Sequence, residues 1–94
     1  MAKKTIEFYG TEGMDCMVMD PKVEKLEKED GVAIESLEVW HNEANKRKMA
    51  SLRDLYDKEC RGNFVVPSFY DPETHRLICG PGTYENLRAW VFHE

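Results

Sequence analysis

Two β-rich runs on either side of a helix-period segment constrain this chain more than any other feature. Thr5-Ile6-Glu7-Phe8-Tyr9 is rich in residues that suit a pleated strand, and it stops at Gly10. Residues 14–30 then change period. Cys16, Met19, Val23 and Leu26 fall on one helical face, and Asp30-Gly31 ends the segment. Residues 32–40 return to strand character, with Ile34, Leu37, Val39 and Trp40 apolar. Strand, helix and strand in this order call for parallel strands joined by a right-handed crossover.

The second half adds a different pairing. Asn42 can cap a helix reaching about Lys58, with Met49, Leu52, Leu55 and Tyr56 as its inner stripe. Residues 64–70 read as a third strand that contains Pro67. Asp71-Pro72-Glu73-Thr74 has the chemistry of a tight turn, and residues 76–79 read as a fourth strand. A short turn requires that last pair to be antiparallel. Gly80-Pro81-Gly82 is loop, and Thr83 can cap a final helix to about His93, with Leu87, Trp90 and Val91 apolar. The predicted fold is α/β in the order β-α-β-α-β-β-α, a four-stranded mixed sheet with helices on both faces.

At 94 residues the chain is read as one domain, residues 1–94. Its formal net charge of −5 disfavours a phosphate backbone as partner, so nucleic acid is not expected. No apolar run approaches the ~18 residues of a membrane span, so no membrane role is expected. Met1-Ala2-Lys3-Lys4 runs straight into a strand pattern, which leaves no room for a signal peptide and points to the cytoplasm. The three cysteines, Cys16, Cys60 and Cys79, are then expected to be reduced thiols. Cys79, inside Leu77-Ile78-Cys79, reads as a small buried hydrophobe. A monomer is expected.

The element order and three local matches resemble the thioredoxin family in its short, glutaredoxin-like form. Ile6-Glu7-Phe8-Tyr9-Gly10-Thr11-Glu12-Gly13-Met14-Asp15-Cys16 lies without a gap on the thioredoxin active-site segment. Cys16 takes the place of the second cysteine of Cys-x-x-Cys, and Gly13 stands where the first would be. Pro21 follows Cys16 by five residues, like the proline that kinks the family's first active-site helix. Val66-Pro67 looks like the family's cis-proline.

The resemblance implies a site at the carboxyl ends of the parallel strands, where α/β folds place ligands. Cys16 would lie there at a helix N-terminus, whose dipole favours a thiolate while neighbouring Asp15 opposes it. Glu7 matches the buried acid beneath the resolving cysteine. In an apolar interior such a carboxyl would titrate high and serve as a general base. Cys60 would arrive at the same edge and could pair with Cys16, given Cα atoms within about 7 Å. Glutathione is a possible ligand, at Val66 and at the Gly82-Thr83 helix start. A zinc site of Cys16, Cys60 and His41 matches no short zinc motif, so no metal is expected.

Two functions are compatible with these residues. One is a divergent thiol–disulfide oxidoreductase acting on protein thiol or disulfide clients through Cys16, with Cys60 and Glu7. The other is a redox-inactive module that binds a protein or peptide in the cis-proline groove. Gly13, Met14, Asp15, Val66 and Pro67 would line it, and Tyr9, Met14 and Met17 would add exposed apolar contact.

Overall fold

The computed structural model describes residues 4–10, 20–80 and 82–92. Its elements are β1 (Thr5–Gly10), α1 (Asp20–Glu29), β2 (Ala33–Glu38), α2 (Glu43–Ala50), α3 (Arg53–Glu59), β3 (Ser68–Asp71), β4 (Arg76–Cys79) and α4 (Tyr84–Phe92). The sheet order is β2-β1-β3-β4. β1 pairs parallel with β2 and antiparallel with β3, and β3 pairs antiparallel with β4. The chain is therefore α/β with a four-stranded mixed open sheet. No described helix is long and apolar enough to cross a membrane.

β1 is buried from Ile6 to Gly10 because it is the central strand with helices over both of its faces. Successive side chains point to opposite faces of a strand, so β1 feeds two cores. Ile6 and Phe8 pack with Val23 and Leu26 of α1 and with Leu87 and Val91 of α4. Phe69 of β3 joins them, its ring stacked on Phe8 at 4.6 Å. Tyr9 packs on the other side with Leu37, Val39, Met49 of α2, Tyr56 of α3 and Leu77.

Several local expectations find their physical counterpart. Asn42 caps α2, its Oδ1 accepting from Asn45 N–H at 3.0 Å. Thr83 Oγ1 accepts from Asn86 N–H at 3.1 Å as α4 begins. The hairpin turn is held by Asp71, whose Oδ1 accepts from the Glu73 and Thr74 N–H groups at 2.9 and 3.3 Å. The Val66–Pro67 peptide is cis. Pro21 lies within α1. The part of the predicted helix before Asp20 lies outside the described residues.

Three expectations are corrected. The helix expected from Asn42 to about Lys58 is two helices. At Ser51-Leu52 the chain tightens, with Leu52 N–H donating to Met49 C=O and Ser51 Oγ donating to Lys48 C=O. The third strand begins at Ser68, after Pro67 rather than around it. Ser68 already pairs with Tyr9, near the end of β1, so residues 64–66 run past their partner strand. Tyr9 is not an exposed contact residue. It has no solvent exposure, and burial followed by its hydrogen bond to Glu7 raises its pKa far above the ordinary phenol value.

Two predictions follow from this packing. Phe69→Ala removes a fully buried ring and should cost about 3–5 kcal/mol in denaturant unfolding. The second concerns Asp71, which is fully buried and lies 2.7 Å from Lys4 Nζ. Burial pushes its pKa up, but Lys4, Thr74 and the backbone N–H groups outweigh this and hold it below the ordinary 3.8. A depressed folded-state pKa adds stability that is fully present above 3.8 and lost as pH falls through the folded value. Asp71→Asn should therefore narrow the stability gap to wild type as an unfolding series is carried to low pH.

Candidate active site

The carboxyl end of β1 gathers three of the predicted site residues, Cys60, Val66 and Pro67, while Glu7 lies further back on the strand, opposite Tyr70. Tyr9 of β1 pairs with Ser68, and Ser68 pairs with Cys79. Pro67 precedes Ser68, and its carbonyl accepts from Gly80 N–H at 2.8 Å. Val66 packs partly into both cores. The segment carrying Gly13, Met14, Asp15 and Cys16 follows Gly10 in the chain and lies outside the described residues.

Glu7 is buried, with 7% exposure, but it does not sit in a purely apolar interior. Tyr9 Oη donates to its Oε1 at 2.7 Å, and Lys48 Nζ of α2 lies 3.0 Å from its Oε2. Buried carboxylates need such partners, because an unpaired one is strongly penalised. The hydrogen bond to Glu7, ahead of the opposing desolvation, raises the pKa of Lys48. A second polar pair lies on the same side of the sheet, where Tyr56 Oη and Ser68 Oγ meet at 2.6 Å. Burial pushes the Tyr56 hydroxyl up to about 12.

Cys60 is at this edge, but its partner is Cys79. The two form a disulfide with Cα atoms 5.9 Å apart, across a separation of 19 residues. This corrects the reading of Cys79 as a small buried hydrophobe and of Cys60 and Cys79 as reduced thiols, while Cys16 lies outside the described residues. Cys60 reaches the bond because it terminates α3. Its N–H donates to Tyr56 C=O at 2.8 Å, and Gly62 N–H donates to the same carbonyl at 3.1 Å. Arg61 and Gly62 have φ of 58° and 82°, a left-handed turn that glycine adopts without a Cβ clash. The pairing of Cys16 with Cys60 involves a residue outside the described set, and in the state observed Cys60 is occupied.

The other predicted residues are dispersed. Gly82 meets α1, its carbonyl accepting from Lys22 Nζ at 2.6 Å, and Thr83 caps α4. His41 is exposed, with Nδ1 3.7 Å from Glu38 Oε1. Among the described residues no group of three or more His, Cys, Asp or Glu side chains could hold a metal ion.

Some residues of interest were not legible beforehand. Lys48 is the partner of Glu7, yet in sequence it is one cation among Lys46, Arg47 and Lys48. Trp40 and Phe64 are large exposed apolar side chains, at 55% and 43% exposure. They line a groove of about 290 Å³ with Val39, Met49, Ala50 and Val66, and Lys46 at its rim. The signal was present in Trp40, which breaks the strand alternation set by Leu37 and Val39.

The chain was compared with protein-family models, curated proteins and solved structures, and none of them matches it. The site is therefore argued from its own geometry. Lys48→Met keeps most of the stem but leaves Glu7, among the described residues, with the Tyr9 hydroxyl as its donor. It should destabilise the fold by about 1 kcal/mol, discounted for the solvent that reaches Lys48. Glu7→Gln in the Lys48→Met background should recover part of the loss, as a double-mutant cycle by urea denaturation would show.

Proposed function

We propose that this chain is a divergent thioredoxin-like thiol–disulfide oxidoreductase with Cys16 as its working thiol. The observation that carries this reading is that β1 ends where Pro67 enters β3 and where the Cys60–Cys79 bond lies, with Cys16 following β1 in the chain. A disulfide beside the strand entry at Pro67 is a surface that an extended disulfide client could engage.

In the proposed reaction the Cys16 thiolate attacks one client sulfur. The client disulfide breaks, and its other sulfur leaves as a thiolate and takes up a proton. Cys60, when its bond to Cys79 is open, then attacks the Cys16 sulfur. The client leaves as a dithiol and a Cys16–Cys60 disulfide remains. A dithiol reductant restores the enzyme and is oxidised in turn. Glu7 is the buried carboxylate on β1 that would receive the thiol proton, with Tyr9 and Lys48 fixing its position.

A second reading rests on the groove beside Val66. Exposed Trp40 and Phe64 suit a peptide partner, and such aromatics often anchor binding. On this reading the module binds without redox turnover. Insulin reduction by the purified protein, with a dithiol as electron source, separates the two. The enzyme reading expects turnover that Cys16→Ser abolishes and Glu7→Gln slows about 10²-fold or more. Equal rates for wild type and Cys16→Ser would contradict it.

A further inference from the structure

We infer that Cys60–Cys79 is a reversible redox centre in its own right, entered through Cys79 by a small thiol that carries carboxylates. This goes beyond the proposed function and does not require Cys16.

The two sulfurs belong to residues of unequal access. Cys60 is buried at 6% exposure among Tyr56, Leu77 and Met49, whereas Cys79 is only partly buried. Cys79 also lines an open cavity of about 470 Å³. β4 is the last strand in the sheet order, so this cavity flanks an edge strand of the described sheet. A disulfide reached from solvent on one side exchanges more readily than one enclosed by a core.

The cavity also has a charge preference. Lys58 comes from α3 and Arg76 from β4, and His75 and Glu59 are its other charged or titratable side chains among the described residues besides Cys79. Arg76 is held in place, donating to Trp90 C=O at 2.6 Å and to Thr74 Oγ1 at 3.2 Å. Among the described residues, two cations against one carboxylate make this a local reversal in a chain of net charge −5. The surface as a whole repels anions, while this cavity attracts them.

The chemistry balances without further components. The incoming thiolate attacks Cys79 Sγ and forms a mixed disulfide. The Cys60–Cys79 bond breaks, and Cys60 leaves as a thiolate and is protonated. Cys60 can return, expelling the thiol and restoring the bond. Alternatively a second thiol attacks the sulfur of the first. Cys79 is then released as a thiol, and the two small thiols depart as their own disulfide. The protein gains two electrons and the small thiol loses them.

The test uses oxidised Cys16→Ser protein, which carries only the bridge, titrated with glutathione and followed by intact mass and peptide mapping. The expected result is a reversible single adduct on Cys79. In the Cys16→Ser, Cys60→Ser protein Cys79 is a free thiol, so the probe there is glutathione disulfide. It should leave a stable glutathione adduct on Cys79 and release one glutathione, because no protein thiol then resolves it. Lys58→Gln should slow adduct formation several-fold with glutathione and leave the rate with neutral β-mercaptoethanol unchanged. An adduct on Cys60, or a bridge that resists a large excess of glutathione, would overturn the proposal. Equal slowing of both thiols by Lys58→Gln would overturn the charge selectivity. The titration of Cys16→Ser is decisive even if the double variant fails to fold. A negative result there leaves the insulin assay on wild type free to succeed.

Discussion

Everything in this fold depends on β1 being buried on both faces and paired on both edges. A strand so placed must supply apolar groups in both directions, and Ile6 and Phe8 face one core while Tyr9 faces the other. Glu7 is the exception in that strand. Its carboxylate is tolerated because Tyr9 from its own strand and Lys48 from α2 reach it. The register of β1 against β3 then places Pro67, Ser68 and Cys79 across its carboxyl end. The site is thus a by-product of how the central strand is satisfied.

The disulfide changes how this end of the molecule should be viewed. It ties the last residue of the edge strand to the residue that ends α3, so the two cannot separate while it is intact. In the chain-entropy picture, closing a loop of this size stabilises the fold by about 3 kcal/mol. Reduction would give up that contribution and release Cys60 for other partners. A structural bond and a source of exchangeable thiol are therefore the same pair of atoms, and the state of one decides the availability of the other.

Much of the architecture was legible because it is written locally. The change of period after Gly10, the caps at Asn42 and Thr83 and the turn at Asp71 each depend on neighbours within a few residues. The break at Ser51-Leu52 was not legible, since the apolar stripe of Met49, Leu52 and Tyr56 continues across it. Residues 64–66 look like strand by composition, but pairing is decided by where β1 ends. The burial of Tyr9 and its bond to Glu7 depend on α2 and α3 covering that face. The Cys60–Cys79 bond is long-range information, and cysteine connectivity does not follow from spacing. For Cys16, Gly13, Met14 and Asp15 the sequence remains the source, read through a resemblance.

The central claim is the proposed role of Cys16 as a reactive thiol in a protein whose Cys60 and Cys79 are joined. Brief alkylation of the native oxidised protein, followed by peptide mapping, tests it most directly. The account predicts that Cys16 is labelled first and alone, and that Cys60 and Cys79 take up label only after a reductant is added. A Cys16 that resists alkylation in the native protein while Cys60 and Cys79 are labelled without reductant would contradict it.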